Sequence, residues 1–342
     1  MPPRSWDWWT EQKLDILAAY LSAFTTASKK AGQTVYLDLF AGRPDNVSRD
    51  REQRIIRGSA RLALESQPPI THLRLFELAS QAAALKQRLA AEYPGRTADF
   101  EVVPGDCNAT IASALASLAD LNWAPTFAFL DQQSTEVHWT TIEALARHKR
   151  PDKWKTELWI LCANGLLPRG LRLKADEFDQ SVADAMTRMF GTAIWLEALD
   201  GRRQGLLTGA QFREELTNLM RYRLEHDLNY RTTLDFQVTN TRGSEIFNMI
   251  FATDHPAGEK IMTDIYRSAL HRQPDLRLKA QLKAKQKKLD DAGTIGLFDL
   301  TEVAPSAPAA SPGYQVNPIS DRPHEPYRLP SATIQDAQSP EH

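Results

Sequence analysis

Thr34-Val35-Tyr36-Leu37-Asp38-Leu39-Phe40-Ala41-Gly42-Arg43-Pro44-Asp45 is the stretch on which the reading of this chain turns. Strand formers fill Val35 to Phe40, and the run has the length of a buried strand. It ends abruptly in Ala41-Gly42, where the near absence of side chain lets backbone approach a ligand closely. In doubly wound α/β folds ligands sit at the carboxyl ends of such strands. The stretch therefore reads as the first strand and ligand turn of an α/β domain. GxGxxG is absent, so a dinucleotide fingerprint does not fit.

Reading onward, the pattern repeats. Leu73-Arg74-Leu75-Phe76-Glu77 is a second strand ending in an acid, and such a carboxylate can accept both hydroxyls of a ribose. Phe100 to Pro104 is a third, with Gly105-Asp106-Cys107-Asn108 as its turn. There Asp106 is placed to reach the base of a nucleoside. Pro125-Thr126-Phe127-Ala128-Phe129-Leu130-Asp131 is a fourth and continues into Gln132-Gln133-Ser134. Parallel strands joined by helices put all their ends on one edge of the sheet. Asp38, Glu77, Asp106 and Asp131 are thus expected to converge on one cleft.

Amphipathic spacing predicts helices over 10–31, 60–65, 79–92, 109–119 and 256–270. In the first, Leu14, Leu17, Ala18, Leu21 and Phe24 form the apolar stripe, with Gln12, Lys13 and Ser22 opposite. Trp6, Trp8 and Trp9 precede it and either pack the start of the helix or stack on a flat substrate. The polar run 45–52 reads as a loop covering the ligand edge. Gly58-Ser59-Ala60 opens a helix, as an ordinary Ser cap or as an anion site. Glu157 to Cys162 is a fifth strand. Leu234–Thr239 and Ile246–Ala252 form an antiparallel pair around the turn 240–244. Between them 165–230 reads as a helical insertion. The expected organisation is a leading helical segment over 1–33, a Rossmann-like domain over 34–272, a basic helical extension over 273–302 and a disordered tail over 303–342.

The 342 residues carry a formal net charge of -2, so bulk attraction to a polyanion is excluded and any nucleic-acid surface must be local. Two stretches qualify, 147–155 (Arg147, Lys149, Arg150, Lys153, Lys155) and 267–288, the latter equally readable as a solvated helix. Cys107 and Cys162 sit beside apolar runs, as buried reduced thiols do. The His residues lack ligand spacing, so no metal is expected. No long apolar run and no leader pattern occur, which points to a cytoplasmic protein without a membrane span.

The ordered set of motifs resembles the three-Cys-motif partner (TcmP) family over residues 6–265. It is carried by Trp9-Thr10-Glu11-Gln12-Lys13-Leu14 with Tyr20-Leu21, Tyr36 to Gly42, Gly58-Ser59-Ala60, Phe76-Glu77, Gly105 to Asn108, Phe129-Leu130-Asp131, and Phe251-Ala252-Thr253-Asp254-His255-Pro256. The resemblance implies a seven-stranded fold similar to class I S-adenosylmethionine-dependent methyltransferases, and a radical-S-adenosylmethionine-like partner with three cysteines. It further implies that Asp38 and Phe40-Ala41-Gly42 flank the methionine part of the cofactor. Glu77 would take the ribose and Asp106 with Cys107 the adenine, while Asp131 and Gln132 would handle a methyl acceptor such as a nucleic-acid base or amino group. Two departures from the family pattern, Gly42-Arg43-Pro44-Asp45 and Asp131-Gln132-Gln133-Ser134, support an alternative: a catalytically degenerate methyltransferase fold that serves as a binding partner.

Overall fold

In the computed structural model, residues 5–6, 8–48, 55–165, 179–240, 245–291 and 322–330 are described. The opening stretch forms β2 (Val35–Asp38), parallel to β5 (His72–Glu77) on one side and β7 (Thr126–Leu130) on the other. β6 (Phe100–Pro104) extends the sheet beyond β5, and β8 (Glu157–Cys162) beyond β7, both parallel. β10 (Glu245–Thr253) then runs antiparallel to β8 and to the edge strand β9 (Thr232–Thr239). The order β6-β5-β2-β7-β8-β10-β9 makes a seven-stranded, mostly parallel, Rossmann-like sheet.

Both faces are covered, because side chains alternate along each strand. Val35, Leu37, Ala128, Leu130, Leu158 and Ile160 belong to one core. It is closed by α4 (Cys107–Ala116), α5 (Trp139–Arg147), α6 (Gln180–Phe190), α7 (Trp195–Arg203) and α8 (Gly209–His226). Tyr36, Phe127, Phe129, Trp159 and Leu161 belong to the other core. That face is closed by α1 (Trp8–Ala27), α2 (Ser59–Leu64), α3 (Ala79–Glu92) and α9 (Pro256–Asp291).

Four features depart from the sequence reading. The run 45–52 is not wholly a loop: β3 (Asp45–Ser48) pairs with β4 (Ile55–Arg57) and with β1 (Ser5–Trp6) in a small separate sheet. The helix α5 was not anticipated, although Trp139, Ile142, Leu145 and Ala146 give it a buried stripe. The division at 272 is absent. α9 continues for 36 residues with Pro274 inside it, because the Ala-, Leu-, Lys- and Gln-rich second half favours helix.

The fourth departure lies within 303–342, where 322–330 are seated on the helical insertion and the other residues fall outside those described. Asn218 of α8 exchanges two hydrogen bonds with the His324 backbone, each 3.0 Å. Glu215 accepts from the Tyr327 amide at 3.3 Å, and Glu197 of α7 accepts from the Leu329 amide at 3.0 Å. These bonds run from backbone to side chain, so no apolar periodicity announces them. A capping box between Thr208 and Gln211 fixes the start of α8 and hence the placement of Glu215 and Asn218. Gly201 lets the Tyr327 ring lie against α7, since a Cβ there would come within 2.8 Å of it.

Gly to Ala inside a helix normally stabilises by about 1 kcal/mol. Gly201→Ala is expected instead to lift the 322–330 segment. Hydrogen–deuterium exchange should show loss of protection at the Tyr327 and Leu329 amides, with the helical body unchanged. Unaltered protection at both amides would contradict the packing described.

Candidate functional site

Ladder hydrogen bonds continue past the strand ends and hold the turns in register. The Leu39 amide donates to the Phe129 carbonyl and the Ala41 amide to the Phe76 carbonyl, each at 3.0 Å. The Gly105 amide donates to the Glu77 carbonyl at 2.9 Å. Gly42 follows with φ +60, a left-handed conformation that glycine adopts without strain. The carboxyl ends of β2, β5, β6 and β7 therefore open onto one cleft of about 1,100 Å³.

Eight of the nine residues singled out from the sequence line this cleft: Phe40, Ala41, Gly42, Glu77, Asp106, Cys107, Asp131 and Gln132. Asp38 does not. It is fully buried, accepting from the Tyr36 hydroxyl at 3.1 Å and the Phe40 amide at 3.3 Å. Burial pushes its carboxyl up to about 7, against the opposing effect of bonds from Ser59 and Tyr36. Ser59 thus serves Asp38 from the start of α2. Asp38 lies behind the turn and does not line the cleft.

The remaining acids keep their places. Glu77 is half-buried, and its Oε1 accepts the following Leu78 amide at 2.9 Å. Asp106 caps α4, with Oδ1 accepting from the Asn108 amide and side chain, both at 2.9 Å. Asn108 also receives the His138 amide and the Thr141 hydroxyl at 2.8 Å, which ties this turn to the start of α5. Cys107 is buried and its thiol is pushed up to about 12 by burial, so it offers packing and not a thiolate. Cys162 is buried likewise, and both cysteines are free.

At the end of β7 the expected roles change. The buried Gln132 spends its amide within the chain: Nε2 donates to the Leu161 carbonyl at 2.9 Å and Oε1 accepts from the Val137 amide at 2.9 Å. It braces β7 against β8 while still lining the cleft. Asp131 is held by the Lys13 ammonium, 2.6 Å from each carboxylate oxygen. Lys13 is buried and lies 5.7 Å from the Phe247 ring centre. Sequence reading put Lys13 on the solvated side of α1. The available signal was its contiguity with Leu14 and Leu17, which places it beside the apolar stripe. Trp9 also lines the cleft and packs on the core, while the Trp6 and Trp8 side chains lie outside the described residues.

The basic stretch 147–155 is largely spoken for. Arg147 pairs with Glu143 at 3.2 Å, and Lys149 is buried against the Ala124 carbonyl. Arg150 bonds Asn122 at 2.8 Å, Lys153 pairs with Asp152 at 2.8 Å and Lys155 with Asp254 at 3.4 Å. On α9, Arg267 pairs with Asp264 at 3.7 Å, and the Lys283, Lys287 and Lys288 side chains lie outside the described residues. Among the described residues no helix is long and apolar enough to cross a membrane.

No protein-family model matches the chain, and no curated protein matches it. The site therefore rests on its own chemistry.

Asp38 sets a pH dependence. Its folded pKa of about 7 lies above the ordinary carboxyl value of 3.8, so the folded state binds the proton more tightly. Its stabilising contribution is complete below about pH 4 and falls away as pH rises through about 7. The buried Glu157, also pushed up to about 7 by burial, acts in the same direction. Urea midpoints should drop between pH 5 and 8, and Asp38→Asn should flatten part of that slope. A slope unchanged in the variant would remove Asp38 as its source.

Proposed function

We propose that the cleft binds an adenosyl cofactor and that the protein is a methyltransferase of the S-adenosylmethionine-dependent kind. The observation supporting this is the convergence of four parallel strand ends on one cleft large enough for a nucleoside and an acceptor, lined by the acids Glu77 and Asp106 and by the Lys13-paired Asp131. The donor set suits that group. Glu77 can receive two hydroxyls, Asp106 can receive an exocyclic amine, and Phe40 to Gly42 give an aromatic face beside a bare turn. When bound, S-adenosylmethionine supplies a methyl carbon already activated for displacement. The chain then has only to position the acceptor and exclude water. Asp131, with its charge balanced by Lys13, is the group placed to orient the acceptor. Arg43, which also lines the cleft, is the cation available to a carboxylate.

Calorimetry with S-adenosylhomocysteine tests the reading. The protein should bind it, and Glu77→Ala should weaken binding about 10- to 100-fold, the equivalent of about 1.5–3 kcal/mol for hydrogen bonds to a charged group. No binding by the unmodified protein would defeat the proposal.

A second reading has one observation in its favour. Gln132 spends both ends of its amide on the main chain, so β7 offers an acceptor only the clamped Asp131. A fold that keeps the cofactor and has lost turnover follows from this. Labelled S-adenosylmethionine incubated with cellular RNA, DNA and protein separates the two: transfer to any pool supports the enzyme, and binding without transfer supports the degenerate fold.

A further inference from the structure

Two stretches that stood out in the sequence have no part in the cleft. Tyr20-Leu21 lies on α1, and Thr253-Asp254-His255-Pro256 joins β10 to α9. They meet at the opposite pole of the sheet. The Tyr20 hydroxyl donates to Glu157 Oε2 at 2.6 Å, and the Thr253 hydroxyl donates to Glu157 Oε1 at 2.8 Å. Glu157 is the first residue of β8, so this is the amino edge of the strands whose carboxyl edge forms the cleft. Gly258 lies so close that a Cβ would stand 1.9 Å from Glu157 Oε1.

Over this floor lies a cavity of about 200 Å³, walled by Phe24, Trp123, Trp154 and His255. Its one carboxyl, Glu157, is satisfied twice over and carries a proton through much of the neutral range. Lys153 and Lys155 also line it. Among the ion pairs of the described residues Lys153 has only its exposed neighbour Asp152, whereas the Lys155 ammonium is turned to the Asn229 carbonyl at 3.1 Å and Asp254 at 3.4 Å, so Lys155 contributes its stem to the wall. His255 Nδ1 accepts the Ala257 amide at 3.0 Å, which leaves its ring proton on Nε2 as a donor. Trp154 is held edge-on to His255, with ring centres 5.0 Å apart, and yet is 54% exposed. A tryptophan fixed at the mouth of an apolar cavity, with the Lys153 ammonium beside it, is a receptor surface for a flat ring bearing negative charge.

The geometry points to a second ligand site here, selective for a planar aromatic ring with an acidic substituent, and distinct from the adenosyl cleft. Nucleoside monophosphates and simple aromatic carboxylates share this chemistry. The ring lies against Trp154 and Trp123, and the acidic group meets Lys153 and the His255 Nε2 proton. The site needs nothing from the methyltransferase reading.

Calorimetry on the full chain with 5′-AMP, 5′-UMP and 4-hydroxybenzoate tests it, with adenosine, uridine and 4-hydroxybenzamide as the uncharged counterparts. At least one acid should bind saturably, and its counterpart should bind at least tenfold more weakly. Preference between nucleotide and carboxylate identifies the source. Trp154→Ala and Lys153→Gln, both at exposed side chains, should each weaken that acid at least tenfold. Trp154→Ala should leave S-adenosylhomocysteine affinity and the melting temperature where they were. Failure of all three acids to bind would overturn the assignment. So would an affinity unmoved by Trp154→Ala, since the acid would then be in the other cleft.

Discussion

A single ammonium joins the leading helix to the carboxyl edge of the sheet. Lys13 reaches from α1 across the end of β7 and takes both oxygens of Asp131. Neither ion is well hydrated: their side chains retain 6% and 22% of their exposure. Such a pair adds little net stability over an apolar replacement, but removing one partner strands the other. The cost of losing Lys13 alone falls near the low end of about 3–5 kcal/mol, because Asp131 keeps some contact with water. What the pair provides is position. It sets where α1 lies on the sheet, forms one wall of the cleft and balances the acid nearest the cleft floor. With Asp131 balanced by Lys13 and the Asp38 carboxyl pushed up to about 7 by burial, the repulsion between the two acids at the centre of the sheet edge is reduced.

The fold was legible where side chains repeat at the period of the backbone. β2, β5, β6 and β7 are short apolar runs ended by Gly, Asp or Glu, and β8 is another such run, ending at Cys162. Their parallel order follows from the helices between them. The antiparallel pair β9 and β10 was legible from two such runs with a five-residue turn between them. Elements whose stability comes from elsewhere were not legible. β3, Asp45-Asn46-Val47-Ser48, is polar and exists because β1 and β4 flank it. None of the described side chains in the second half of α9 is buried, and helix propensity favours its continuation past Pro274. The 322–330 segment is held by Glu197, Glu215 and Asn218, a pattern of backbone donors meeting side-chain acceptors that leaves no trace in hydropathy.

The site divides the same way. Strand ends can be read from sequence, and with them Phe40 to Gly42, Glu77, Asp106 and Asp131. Whether a polar side chain at a strand end faces the ligand or the protein cannot be. Asp38 and Asp131 both stand at strand termini, yet Asp38 points into the body toward Tyr36 and the α2 start while Asp131 reaches the cleft. Parity does not separate them, since Asp38 pairs with Phe129, two residues before Asp131; position along the strand does, because Asp38 is still within β2 and Asp131 is one residue past β7. Gln132 illustrates the second limit. An amide has both donors and an acceptor, and a buried one is drawn to whatever main chain lies nearby. Here the Leu161 carbonyl and the Val137 amide claim it before any ligand can.

Lys13 and Tyr20 show why the leading helix belongs to the domain and is not a separate segment. They are seven residues apart, two turns along one stripe, a rise of about 10 Å. Lys13 is tied to the end of β7 and Tyr20 to the beginning of β8. α1 therefore runs antiparallel to these strands and is riveted at both edges of the sheet, by an ion pair at one pole and a hydroxyl–carboxyl bond at the other. Between the rivets Leu14, Ile16 and Leu17 pack on the core, and apolar contacts of this kind are indifferent to small slides. The polar ends are not: a shift of one residue along the helix would strand Asp131 and leave Glu157 with the Thr253 hydroxyl alone, both in poorly hydrated places. The two buried polar contacts thus fix the register that hydrophobic packing alone would leave free, and through it the dimensions of the cleft and of the cavity beneath Trp154.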